Sequence, residues 1–573
     1  MRAPPRTRQD VSEWTGASKG FTGRGTNLPD LKADLEAVES VPSCATAIAE
    51  TLHEGGVRFV FGHPGGEVVD LIDALETTGI RFILTGHEAA AAFMASAVGR
   101  LSGTPGVCLA TLGPGACNLV LGVGAAYLDR DPIVALSAVS PVSRSRVSQK
   151  QNLPLNELFD PVCKWSVPLE RRGIQATVRS ALKVSTAAPA GPVYLSIPND
   201  VAVADAAPGE GASTPDPTRA CSGSLDGIAA ALNRAERPVG VVGIALDAHR
   251  DSAAVRRFFS ESQIPYVVLP QAKGIPDEFG PGYLGTVASA AGDAVLVDLI
   301  SRSDCILGVG FDPVESAQDW HLRQAVYSLA NYPIAFGGFR PAYECVGDVT
   351  ILLDRLLTRY KARPLWTAAE IRCAIAGVAD SICPDEEAGE NGLSPFHLIR
   401  EIRETLPAEA ILSVDVGAHK MLVSQVWRPR SPGTFLTSNG LSAMGYGLPS
   451  ALAASLLRPG HPVAGVFGDA GFAMMVQELE TARRLGLRPL LVVMCDRSLA
   501  IVKVAQAMRN LPYRGVDFKP VDWARVAGGF GATGVPVTTL EEMRRAGEAW
   551  LAKPELTVVA ARVEENLYTG MEY

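Results

Sequence analysis

Two acids stand where apolar runs end. In "VAGVFGDAGF" Asp469 closes a β-branched stretch and is followed by the small residues Ala470 and Gly471. In "LLVVMCDRS" Asp496 does the same 27 positions later, with Ser498 two residues beyond. Small residues let a backbone approach a ligand. The helical pattern "AMMVQELETARRLG" behind them would aim free N–H groups and a helix dipole at an anion. A carboxylate beside a phosphate repels it unless a cation lies between, and Mg²⁺ takes oxygen ligands of this kind. The spacing alone admits a diphosphate–magnesium cradle or, equally, a capped helix with two surface acids. Another acid, Glu88 in "TGHEAAAAF", opens a helical pattern, a position where acids are common.

These residues need strands and helices to hold them. From residue 41, helical patterns alternate with short strand-like runs, as in "RFVFG", "IRFILTG", "PGVCLATLG" and "PIVALSAV". Such alternation signals parallel sheets wrapped by helices. Seams rich in Pro, Gly and Ser or in acids ("ADAAPGEGASTPDPTRACSG", "CPDEEAGENGLS") divide the chain. The expected organisation is a disordered tail over 1–40, α/β domains over 41–205, 225–362 and 394–573, and linkers over 206–224 and 363–393. The fold class is α/β: three doubly wound parallel-sheet domains, whose ligands belong at the carboxyl ends of the strands.

At 573 residues, with 47% hydrophobic and 20% charged residues, the chain reads as an ordinary globular protein too long for one core. Its net charge of -9 gives no basic footprint, so no nucleic-acid partner is expected. No uninterrupted apolar run of about 18 residues occurs, which argues against a membrane span. The polar N-terminal stretch has no secretory apolar core. Ten scattered Cys lack zinc spacing and read as reduced thiols of a cytoplasmic enzyme.

Taken together, "GDA…CD", "SVDVGAHK", "TSNGLSAMGYGLPSALAA", "VFGHPGGEVVDLIDAL", "TGHEAAAAFMASAVGRLSG" and "ATLGPGACNLVLGVGAAYLDRDPIVALS" resemble, in order and spacing, the acetolactate-synthase-like group of thiamine-diphosphate enzymes. The likeness runs from residue 41 to about 565 and is thinnest in the middle. It implies pyrimidine-binding, central and diphosphate-binding domains. It also implies thiamine diphosphate and Mg²⁺ as cofactors and a small 2-oxoacid and an acceptor as substrates. By the same resemblance, Glu88 meets the cofactor's aminopyrimidine and Gln151 lines the active site. Gly65 and Gly66 form a loop over its reactive end. Gly417, His419, Ala470 and Gly471 lie near the diphosphate, and Met444 holds the cofactor bent. Asp469, Asp496 and the carbonyl of Ser498 take the metal. In this group the first domain of one subunit faces the third domain of another, so a homodimer or homotetramer is expected.

Four departures bear on function. Asp496 stands where the group usually has asparagine, Asn199 where acetolactate synthases have lysine, and Ala505 where they have a tryptophan shaping the acceptor pocket. "GVGFDPVES" and "PIAFGGFRP" replace motifs associated with FAD, which puts FAD in doubt. The central stretches look more like carboxyethylarginine synthase. The leading expectation is a carboligase acting on pyruvate or a related 2-oxoacid. The alternatives are an enzyme joining a three-carbon unit to an amine, a simple 2-oxoacid decarboxylase, and a homologue without catalysis.

Overall fold

Each of the three α/β segments closes on a six-stranded parallel sheet in the computed structural model. The structure describes residues 41–141, 150–215, 223–288, 292–315, 324–334, 340–390 and 392–568; the tail over 1–40 lies outside them, as do residues 216–222 of the expected first linker. From Pro42 onward the chain forms one compact unit.

The first sheet contains β1 (Phe59–His63), β2 (Arg81–Leu84), β3 (Gly106–Ala110), β4 (Ile133–Val139), β5 (Trp165–Pro168) and β6 (Val193–Pro198), in the order β2-β1-β3-β4-β6-β5. The central sheet contains β7 (Pro238–Val242), β8 (Tyr266–Val268), β9 (Tyr283–Thr286), β10 (Cys305–Val309), β11 (Val326–Ala330) and β12 (Tyr343–Val346), ordered β12-β11-β10-β7-β8-β9. The third contains β13 (Ile411–Val414), β14 (Phe435–Thr437), β15 (Val463–Gly468), β16 (Leu490–Cys495), β17 (Thr533–Val537) and β18 (Thr557–Arg562), ordered β14-β13-β15-β16-β18-β17. The first and third sheets therefore share one topology. Their inner strands, such as "LLVVM" in β16, are apolar on both faces because helices cover both sides.

Helix Glu88–Ser102 is buried along almost its whole length, which explains its run of alanines. It packs on helix Pro114–Leu128 and on helix Gly447–Leu457 of the third domain. A Cβ added at Gly122 would lie 2.5 Å from the Ala92 methyl, and one at Gly99 would lie 2.3 Å from the Pro132 carbonyl. A larger side chain would force the two helices apart at Gly122 or press on the loop before β4 at Gly99, at a cost of about 1–3 kcal/mol each. The first and third domains thus share one core.

One element differs from its expectation. The helix behind Asp469 starts at Asp469 itself, with Gly468 as an extended N-cap, and not at Ala473. It also breaks, giving helices Asp469–Met475 and Glu478–Leu485.

Candidate active site

The third domain gathers its site residues at the carboxyl ends of β13, β15 and β16. Asp469, 3% exposed, leads the first turn after β15. Its Oδ1 accepts from the Ala470 amide at 2.9 Å and its Oδ2 from the Arg497 amide at 3.0 Å. Asp496 closes its own turn, with Oδ1 accepting from the Ser498 amide at 3.0 Å. Burial pushes Asp469 up to about 6. Burial and then the neighbouring Asp469 charge push Asp496 up to about 7. Two acids this close titrate as a pair and favour a shared cation over two bare charges.

Asp415, at the end of β13, ties the rest together. Its buried carboxylate accepts from the Gly445 amide at 2.9 and 3.1 Å and from the Gly447 amide at 3.4 Å, which fixes the loop carrying half-buried Met444. Burial raises it to about 6 against the pull of these N–H groups. A Cβ on Gly471 would sit 2.2 Å from Asp415 Oδ2, so that position needs glycine for close approach. Gly417 has φ +157, and its missing Cβ leaves room for the His419 ring 2.8 Å away. That ring also covers Gly468. His419 is 3% exposed, burial lowers it to about 4, and its Nε2 has no partner among the described residues. Lys420 turns the other way. Its ammonium donates to the Ser438 carbonyl at 3.2 Å, Asn439 Oδ1 at 3.1 Å and Ser442 Oγ at 3.2 Å, and burial lowers it to about 8.

The first domain presents a second cluster. Glu88 is the first residue of its helix, capped by His87, whose Nδ1 accepts from the Ala89 amide at 3.0 Å. The Glu88 carboxylate is buried and accepts from Asn118 Nδ2 at 2.9 Å. Gly115 packs so closely that a Cβ there would lie 3.2 Å from Glu88 Oε1. Gln151 is exposed, adopts φ +57 and lies over Gly113. Gly65 and Gly66 need no left-handed backbone. A Cβ on Gly65 would strike Thr111 Oγ1 at 2.3 Å, whereas Gly66 faces open space.

The structure therefore brings the candidates together in two sets: Gly65, Gly66, Glu88 and Gln151 in the first domain, and the other candidates in the third. No hydrogen bond joins Glu88 to the third-domain set among the described residues. The halves are tied instead by the Gly86 amide to Glu478 Oε2 at 3.1 Å and by Arg484 to the Leu84 carbonyl at 2.6 Å. Asp415, Glu478, Asn118 and Lys420 were not singled out in the sequence reading. Asp415 carries the same signal as Asp469, an acid at a strand end before glycine. Glu478 looks like any acid on a helix.

No three His, Cys, Asp or Glu side chains form a metal cage among the described residues. A cation at Asp469 and Asp496 would need backbone oxygen, such as that of Ser498, and oxygens of a phosphate ligand. His419 Nε2, without a partner among the described residues, and the raised acids fit a diphosphate with its cation. FAD is met differently. The central strand order puts a dinucleotide crevice between β7 and β10. There Glu315 already accepts from the Ile244 amide at 2.6 Å and the Gln271 amide at 3.0 Å, while Asp247 takes the His249 and Arg250 amides. These four backbone amides are thus engaged by the protein's own carboxylates, and residues 335–339 of the "PIAFGGFRP" stretch lie outside the described residues.

Comparison with known proteins gives the class to which this fold and site belong. Residues 42–158, 225–356 and 415–561 match the N-terminal TPP binding, central and C-terminal TPP binding domains of the thiamine pyrophosphate enzymes. The chain belongs to that family and is a thiamine-diphosphate-dependent enzyme. Within the family it is acetolactate-synthase-like. It is 30% identical over 522 residues to an acetolactate synthase of Bacillus subtilis (strain 168), spanning 87% of this chain and 89% of that protein. It is 30% identical over 542 residues to the catabolic acetolactate synthase of Raoultella terrigena, spanning 91% and 95%. It is 27% identical over 545 residues to the acetolactate synthase isozyme 1 large subunit of Escherichia coli (strain K12), again spanning 91% and 95%. Among the described residues no helix is long and apolar enough to cross a membrane.

Proposed function

We propose that this enzyme is a Mg²⁺-dependent, FAD-independent carboligase acting on pyruvate or a related 2-oxoacid in the cytoplasm, as a homodimer or homotetramer. The observation that carries this reading is the pairing of buried Asp469 with half-buried Asp496, both raised, in the domain where His419 Nε2 has no partner among the described residues. The names of the relatives point to the same reaction type. When bound, thiamine diphosphate supplies the carbon nucleophile and the electron sink that let a 2-oxoacid lose carbon dioxide and join an acceptor.

The chain's own part is to bind, orient and move protons. Asp469, Asp496 and the Ser498 carbonyl hold the cation. His419, Ala470 and Gly471 receive the diphosphate, and a phosphate beside His419 favours its protonated, donating form. Met444, on the loop fixed through Gly445 to Asp415, would pack against the cofactor and hold it bent. Glu88, oriented by Asn118, would hydrogen-bond the aminopyrimidine and hold or move a proton at its own carboxylate. Gly65, Gly66 and Gln151 border the reacting end. Half-buried Ala505, on helix Ala500–Met508, leaves room for an acceptor where an indole would fill it.

Calorimetric titration with thiamine diphosphate and Mg²⁺, followed by incubation with pyruvate and mass spectrometry of the products, tests the proposal. Heat of binding, carbon dioxide release and a condensation product are expected. Glu88→Gln is expected to abolish turnover and keep diphosphate binding. No heat at millimolar ligand would refute the reading.

A further inference from the structure

Glu478 is completely buried, and a buried carboxylate is costly unless its oxygens are met. Oε2 is met, by the Gly86 amide at 3.1 Å and by Thr481 Oγ1 at 2.8 Å. The nearby His87 amide also favours the ionised form of this carboxylate. Oε1 has no partner. Gly86 and His87 are the two residues before Glu88. The contact is close enough to dictate composition. A Cβ on Gly86 would lie 2.6 Å from Gln477 Cγ and 3.0 Å from Glu478 Oε1. Six residues further along the same helix, Arg484 donates to the Leu84 carbonyl at 2.6 Å and is braced by Glu480 at 3.1 Å. Helix Glu478–Leu485 thus grips the β2-to-helix turn at both ends. It is joined by Val476 and Gln477 to the helix that begins with Asp469.

We propose that Glu478 is a positioning residue whose carboxylate holds the Gly86–His87 turn and so aims Glu88, making its helix a clamp between Glu88 and the cradle at Asp469. This rests on the roles given above to Glu88 and Asp469. In an oligomer where one chain's first and third domains serve different cofactors, the clamp also links the two sites mechanically. Glu478 touches neither cofactor nor substrate; it acts through the backbone of Gly86 and His87.

The test uses full-length Glu478→Ala and Glu478→Gln proteins. Three readouts are taken: pyruvate turnover, thiamine diphosphate affinity with Mg²⁺ by tryptophan fluorescence, and hydrogen exchange of the peptide spanning residues 84–90. Glu478→Ala is expected to lower kcat at least about tenfold, change cofactor affinity by less than about threefold and speed exchange in that peptide. Glu478→Gln keeps a carbonyl to accept from Gly86 and is expected to restore kcat to within about threefold of wild type. The proposal is overturned if Glu478→Ala keeps its kcat, if affinity and kcat fall together, or if glutamine gives no rescue. Should Glu478→Ala fail to fold, Gly86→Ala, which presses a methyl into Gln477 and Glu478, is read for the same split. If Glu88→Gln itself turns over normally, the role of Glu88 falls. If Glu88→Gln is inactive and the clamp variants are not, only the clamp falls.

Discussion

Protons and metal compete for the Asp469–Asp496 pair, and the competition sets a pH dependence that can be worked out. Burial holds Asp469 at about 6, and burial with the neighbouring Asp469 charge holds Asp496 at about 7, before any cation arrives. A cation needs both carboxylates ionised, so its apparent affinity falls by the fraction of sites still protonated. Between pH 8 and pH 5.5 the group near 7 contributes a factor of about 30 and the group near 6 a factor of about 4, together roughly 100-fold. In Asp496→Asn one titration disappears and Asp469 loses its like-charged neighbour, so the same interval should change affinity by no more than about 4-fold. The assay is calorimetric titration of Mg²⁺ into protein saturated with thiamine diphosphate, at half-unit pH steps, for both proteins. Protonation of the diphosphate is common to the two and cancels in the comparison. Equal pH slopes for wild type and Asp496→Asn would refute the shared-cation argument.

Other outcomes follow from the packing. Gly471→Ala drives a methyl to 2.2 Å from Asp415 Oδ2 and should weaken thiamine diphosphate binding at least about tenfold, as seen by fluorescence titration. In the central domain, Lys273 and Glu278 form a completely buried pair at 2.7 Å, and Lys273 also donates to Thr286 at 3.0 Å. Lys273→Met leaves Glu278 without its counter-charge and should lower stability by about 3–5 kcal/mol in urea unfolding.

Much of the scaffold was legible because its signal is local. A parallel sheet buried on both faces writes its strands as short apolar runs, and the acids and glycines that end them mark the ligand edge. Asp469 could be picked out because it ends an apolar run before small residues, whereas Glu88, in a position where acids are common, stood out only through the family resemblance. Glu478 could not. It sits 390 residues from Glu88 in sequence, on an amphipathic helix rich in charge, and only folding shows its carboxylate turned inward to Gly86. Asp415 was quoted within its motif, yet its grip on the Met444 loop depends on β13 and that loop meeting in space. The split of the helix at Val476–Gln477 was hidden for a similar reason, since both halves keep helical spacing and neither residue is a helix breaker.

The same acids also carry a stability argument. In the unfolded chain Asp469 and Asp496 titrate near the ordinary aspartate value of about 4, whereas in the fold they hold their protons to about 6 and about 7. Between those limits the folded state binds more protons than the unfolded one, so the pair's contribution to stability falls as pH rises from about 4 to about 7. Below that window both states are protonated and the penalty vanishes; above it the penalty is complete, on the order of a few kcal/mol. A bound cation reverses the sign, because it stabilises the ionised pair in the folded state alone. Replacing both acids by asparagine should therefore raise the melting temperature of metal-free protein at pH 8 and leave it little changed at pH 4. The gain should disappear against wild type loaded with thiamine diphosphate and Mg²⁺. If the double variant is no more stable than metal-free wild type at pH 8, the ionised aspartates cost the fold nothing, and the cleft does not require a cation to balance them.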